Sequence, residues 1–88
     1  MLMWDDLTGL YSKEFFYRRV DSVYVEDPDS EFDMVCSDIE NFKALNDRYG
    51  RQNCDQLLQD LANRLVSFLP DYLVGGRVSG DTFAFLIR

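Results

Sequence analysis

The stretch that decides the fold is Arg77-Val78-Ser79-Gly80-Asp81-Thr82-Phe83-Ala84-Phe85-Leu86-Ile87. Apolar and β-prone residues run from Tyr72 to Val78 and again from Thr82 to Ile87. The three residues between them, Ser79-Gly80-Asp81, are turn formers. Two short apolar runs around such a turn read as an antiparallel hairpin. A third run, Phe32-Asp33-Met34-Val35-Cys36-Ser37-Asp38, reads as a buried strand that ends at a carboxylate, with Cys36 as a small core residue.

Working outward, helical periodicity fills the gaps between these runs. Phe15, Phe16, Val20, Val23 and Tyr24 recur near helical spacing from Lys13 to about Val25, after turn chemistry at Thr8-Gly9 and an N-cap candidate at Ser12. Glu26 to Glu31 places four carboxylates around Pro28 and reads as a solvated loop. Glu40 to Tyr49 presents Phe42, Leu45 and Tyr49 on one face, with Gly50 as the residue just past the helix end. Asn53, with Gln56 three residues on, opens the strongest helix. Its stripe of Leu57, Leu58, Leu61, Ala62, Leu65, Val66 and Leu69 stops at Pro70. The order helix, strand, helix, helix, strand, strand predicts an α/β sheet layered with helices. The second hairpin strand stops at Arg88, and so apolar a sheet calls for more cover. The sequence therefore reads as cut short.

Composition narrows the chemistry. The chain has 88 residues, 16 acidic and 9 basic, no histidine and a net charge of −7. Ser-His-Asp and Cys-His devices are excluded within it, as is a His-ligated zinc site. Cys36 and Cys54 form no CxxC and read as free thiols. The negative balance disfavours sequence-independent binding to nucleic acid. No apolar run approaches the roughly 20 residues of a membrane span, and no secretory signal is visible. Any chemistry must rest on carboxylates, hydroxyls and borrowed metal ions. Asp38 at the end of the first strand and Asp81 in the hairpin turn meet if those strands are neighbours, and together would hold a hard cation such as Mg²⁺.

Four blocks in order carry a family resemblance: Asp5-x-Leu7-Thr8-Gly9-Leu10-Tyr11-Ser12-Lys13, Asp38-Ile39-Glu40-Asn41-Phe42-Lys43-x-x-Asn46-Asp47-x-x-Gly50, Asp55, and Arg77-Val78-Ser79-Gly80-Asp81-Thr82-Phe83. They resemble D-x-L-T-G-L-x-N-R, D-x-D-x-F-K-x-x-N-D-x-x-G, the aspartate of a following G-D, and R-x-G-G-D-E-F of the GGDEF domain of diguanylate cyclases. The resemblance spans residues 1–88 as the N-terminal half of such a domain, cut after the signature hairpin. It implies an α+β sandwich related to the nucleotide cyclase and polymerase palm, a ferredoxin-like sheet with helices on its faces. It also implies condensation of two GTP into cyclic di-GMP with Mg²⁺, in a cytoplasmic bacterial protein. On this resemblance Asp38 is a metal ligand with the Ile39 carbonyl, Asn46 and Asp55 bind the guanine edge, Lys43 reaches a phosphate, and Asp81 serves hydroxyl activation.

The departures point away from turnover. Thr82 stands where the family has a metal-ligating glutamate, and a neutral hydroxyl supplies no charge to a two-metal site. Ser79 replaces a glycine, Arg51 a histidine, Cys54 the glycine before Asp55, and Glu40 an aspartate. Pro70 and Leu73 occupy the places of the inhibitory R-x-x-D motif. The expectation is a degenerate domain of cyclic di-GMP signalling in which Asp81 is vestigial. It binds GTP or regulates an attached sensor or phosphodiesterase, with phosphate charge met by Mg²⁺ or by Lys43, Arg48, Arg51 and Arg77. Two alternatives stand beside it: an active cyclase that tolerates Thr82, and a structural dimerisation domain. An uncovered sheet edge also predicts homo-oligomers.

Overall fold

The computed structural model describes residues 3–88. Seven elements follow in order: β1 (Tyr11–Ser12), α1 (Lys13–Glu26), β2 (Asp33–Asp38), α2 (Phe42–Tyr49), α3 (Arg51–Phe68), β3 (Val74–Ser79) and β4 (Thr82–Ile87). They build a four-stranded sheet in the order β1-β3-β4-β2. The hairpin β3–β4 and the pair β2–β4 are antiparallel, whereas β1 runs parallel to β3 through Tyr11↔Gly76 and Ser12↔Arg77. This is the α+β, palm-like arrangement with helices on both faces that the sequence led us to expect.

Strand alternation divides the core into two clusters. On one face Phe83 and Phe85 of β4 pack with Leu10 and with Leu58 and Ala62 of α3. On the other, Ala84 and Leu86 pack with Val74 and with Phe16 and Val20 of α1. β4 is therefore covered on both faces, which explains why its residues form an unbroken apolar run. Phe16, Phe83 and Phe85 are fully buried, and each such side chain contributes about 1.5–3 kcal/mol of transfer free energy. Gly76 lets α1 approach the sheet closely, because a Cβ there would lie 2.6 Å from the Phe16 Cβ.

The structure corrects four local expectations. β2 is an edge strand, and Cys36 is exposed while Cys54 is buried. α1 rests on β3 and β1, so the Met34–Cys36 face of β2 stays open. α3 starts at Arg51 rather than Asn53. Gly50, at φ 82°, ends α2 and caps α3 at once, so the helices meet at a sharp corner without an intervening loop. The Asn53–Gln56 capping box does not form: Asn53 Nδ2 donates to the Tyr49 carbonyl and Gln56 Nε2 to Asp60. Finally, the hairpin loop is shorter than three residues. Ser79 pairs with Thr82, and the register shift between Arg77 and Ser79 absorbs the extra residue. The two-residue β1 was not foreseen at all. Too short to show periodicity, it is held by its partner β3 and by the Trp4↔Tyr11 bridge.

Candidate functional site

Two adjoining features collect the candidate residues at one end of the sheet. The first is the sheet end itself. Antiparallel pairing sets Asp38, the last residue of β2, opposite Thr82, the first of β4. The Ile39 N–H continues the ladder by donating to the Asp81 carbonyl at 3.1 Å. Asp38, Ile39, Asp81 and Thr82 therefore do converge. The Asp81 carboxylate is turned onto its own loop, where Oδ1 accepts from Ser79 Oγ at 3.1 Å and Thr82 Oγ1 at 3.3 Å. Asp38 is exposed. Among the described residues, no group of three acidic, cysteine or histidine side chains gathers closely enough to hold a metal ion. The position opposite Asp38, where a third acid would complete such a group, carries the Thr82 hydroxyl.

The second feature is a cleft of about 730 Å³ beside that end, into which Asn46 of α2 and Asp55 of α3 both face. The corner at Gly50 brings them together. Asn46 lies in the last turn of α2, where its carbonyl accepts from the Gly50 N–H at 2.9 Å. Asp55 lies in the second turn of α3, one turn after Arg51, which also lines the cleft. The Asn46 Oδ1 is buried without a hydrogen-bond partner, and so is the Oγ of Ser12, which also lines the cleft. Buried polar oxygens without partners cost free energy unless a ligand or water meets them. Lys43, by contrast, is exposed on α2 and does not line this cleft.

The remaining wall comes from residues to which, apart from Arg77 as a phosphate-facing cation, the sequence reading gave no role in a site. Trp4, Asp5, Asp6 and Leu7 precede β1, Arg77 belongs to β3 and Gly80 lies in the hairpin turn. Asp5 organises this wall. Its Oδ2 accepts from the Thr8 N–H at 3.1 Å and the Thr8 hydroxyl at 2.7 Å, while Gly9, at φ 76°, closes the turn by donating to the Asp5 carbonyl. The same carboxylate binds Arg77 at 3.1 Å, with both side chains only 19% exposed. Arg77 also donates to the Gly80 carbonyl from Nη2 at 2.7 Å and from Nε at 3.2 Å. One guanidinium thus ties the N-terminal turn to the hairpin tip across 72 residues of sequence. Turn chemistry at Asp5-x-x-Thr8-Gly9 was readable, but its charge partner was not. The four-cation cluster is not formed as a unit. Arg77 is neutralised by Asp5, Arg48 lies over the Tyr49 ring, and only Arg51 and Arg77 line the cleft.

The family model for the GGDEF domain of diguanylate cyclases matches residues 2–88. The diguanylate cyclase VdcA of Vibrio cholerae is 33% identical over 84 residues, covering 96% of this chain and 24% of that protein. The cyclic di-GMP phosphodiesterase PdeR of Escherichia coli is 33% identical over 82 residues, covering 93% of this chain and 12% of that protein. The crystal structure of the GGDEF domain of DgcB from Caulobacter crescentus, in complex with c-di-GMP, superposes with a TM-score of 0.86. It is 26% identical, covering 97% of this chain and 49% of that one. The chain spans about a quarter or less of the length of the curated relatives it matches. The match over nearly all of its residues, the shared sheet and the four motif blocks lead to one conclusion: the chain belongs to the GGDEF domain family of cyclic di-GMP signalling.

Proposed function

We propose that this domain binds GTP in the cleft between α2, α3 and the N-terminal turn and does not condense it, serving as a degenerate regulatory module in a cytoplasmic signalling protein. The observation that carries this reading is the register pair Asp38↔Thr82. At the sheet end, a hydroxyl faces the one carboxylate not folded onto its own turn. Asp38, the Ile39 carbonyl and the Thr82 hydroxyl fit a single Mg²⁺ that arrives on a triphosphate and completes its shell with water and phosphate oxygens. They do not fit two Mg²⁺ ions, whose mutual repulsion needs several carboxylates, and a bound Mg²⁺ would offset phosphate charge. Asp55 accepts from guanine N–H groups, and the unpartnered Asn46 Oδ1 accepts a further donor. Lys43 reaches phosphate only from outside the cleft. Asp81, engaged with Ser79 and Thr82, is a vestigial base.

The test is calorimetric titration of the protein with GTP and Mg²⁺, followed by chromatography of the mixture. Binding without cyclic dinucleotide is the expected outcome, and product formation refutes it. An active cyclase is the competing reading, supported by the presence of both Asp38 and Asp81 at the sheet end. It requires that the unmodified protein make product and that Thr82→Glu raise turnover further. Likeness to part of PdeR supports attachment to a phosphodiesterase or sensor unit. The unpaired outer edge of β2 supports self-association, which sedimentation at increasing concentration measures.

A further inference from the structure

Arg51 occupies a particular place in the cleft. It is the first residue of α3, directly after the Gly50 corner, and lines the cleft together with Asn46 and Asp55. Two guanidinium groups line that space, and Arg77 is committed to Asp5 and the Gly80 carbonyl. Among the described residues Arg51 enters no ion pair. Asp55 lies four residues on, within reach on the same side of the helix. Yet the two do not bridge, in keeping with the weaker interaction of a cation placed N-terminal to an anion. The cleft therefore offers one carboxylate that only accepts and one planar guanidinium that only donates, side by side on a helix turn.

We propose that Arg51 reads the acceptor edge of guanine, donating its two-pronged fork to O6 and N7 while Asp55 accepts from N1–H and the exocyclic amine. This proposal rests on the reading of the cleft as a GTP site and adds to it a specificity-determining residue. Guanine presents donors on one edge and acceptors on the adjacent one. A carboxylate and a guanidinium separated by one helical turn, about 5–6 Å between their Cβ atoms, match that polarity. Arginine forked onto O6 and N7 is the commonest specific contact that proteins make to guanine in the major groove of DNA, and the same edge is free on a nucleotide. Adenine inverts the pattern, turning its N6 amine toward the guanidinium and an unprotonated N1 toward the carboxylate, so the same pair rejects ATP. A purely electrostatic role for Arg51 on phosphate would show no preference between bases.

The experiment titrates the protein with GTP and with 7-deaza-GTP, which keeps every phosphate and the Watson–Crick edge but carries C–H at position 7. Calorimetry gives the affinities. The fluorescence of Trp4, the single tryptophan and a cleft residue, reports occupancy independently. The unmodified protein is expected to prefer GTP roughly tenfold. Arg51→Ala should bind GTP as weakly as it binds 7-deaza-GTP, and Arg51→Lys, which keeps the charge without the fork, should restore little of the preference. Arg51 is exposed, so these variants keep the fold. Equal affinity of the unmodified protein for both nucleotides, or equal weakening of both by Arg51→Ala, overturns the role in base reading and leaves the GTP site standing. Binding of neither nucleotide by the unmodified protein overturns the GTP site and this proposal together.

Discussion

Replacing Gly76 by alanine is the sharpest test of how α1 is seated on the sheet. Gly76 pairs with Tyr11 on one side and Ala84 on the other, so its backbone cannot shift without disturbing two ladders. An added Cβ would meet the Cβ, Cγ and Cδ1 atoms of Phe16 at 2.6–2.7 Å. The Phe16 Cβ is fixed to the helix backbone and cannot rotate away, and the side chain is fully buried. Relief therefore requires the whole helix to lift by about 1 Å, loosening Val20, Val74 and Leu86 as well. Overpacking of this kind costs about 1–3 kcal/mol, and the rigid obstacle places Gly76→Ala at the upper end. Reduced freedom of the unfolded chain returns about 0.4–1 kcal/mol, leaving a net loss of about 2 kcal/mol. Two other glycines of the same hairpin meet a softer obstacle or none. At Gly75 a Cβ meets the Phe85 ring edge at 2.8 Å, which a small ring tilt relieves in part, so the cost should be about 1 kcal/mol. At Gly80 nothing lies within 4 Å, and Gly80→Ala should be neutral or slightly stabilising. Urea unfolding of the three variants, with unchanged slopes, measures the series. If Gly76→Ala unfolds at the same urea concentration as Gly80→Ala, the close seating of α1 on β3 is refuted.

Asp5→Ala removes the carboxylate that joins Thr8 to Arg77 and leaves a largely buried guanidinium without its counter-charge; a loss of about 2–4 kcal/mol in denaturant unfolding is expected. Asp55→Ala should weaken GTP by about tenfold or more without lowering the unfolding midpoint, because Asp55 makes no ion pair among the described residues; unchanged affinity would remove Asp55 from the site. Thr82→Glu places a second carboxylate opposite Asp38 and should raise affinity for Mn²⁺, followed by electron paramagnetic resonance, about tenfold or more; no gain would deny that the two positions share a cation. In native protein a thiol reagent should modify Cys36 alone, and both thiols only after unfolding, as read by mass spectrometry; rapid native labelling of Cys54 would contradict its burial.

The sequence by itself determined the elements whose signals are local. The apolar runs and turn residues from Tyr72 to Ile87 announce the hairpin, and the leucine stripe from Leu57 to Leu69 announces α3. Motif spacing identified Asp38, Asp81, Asn46 and Asp55 and the hydroxyl at Thr82, because a family pattern is itself a one-dimensional record. Tertiary structure decided everything that depends on which distant groups become neighbours. Cys36 sits in an apolar run yet is exposed, since β2 lies at the sheet edge and α1 is seated over β3 and β1. β1 exists only because β3 is there to pair with it. The Asp5–Arg77 bridge joins residues with no local relation and builds one wall of the cleft. Arg51 reads in sequence as one of four basic residues. The Gly50 corner and the prior engagement of Arg77 leave it as the cleft's unpaired guanidinium among the described residues. Hydrogen-bond periodicity and turn preference act over a few residues and are written in the chain. Charge pairing and burial act through space, and only the folded sheet and its helices set those distances.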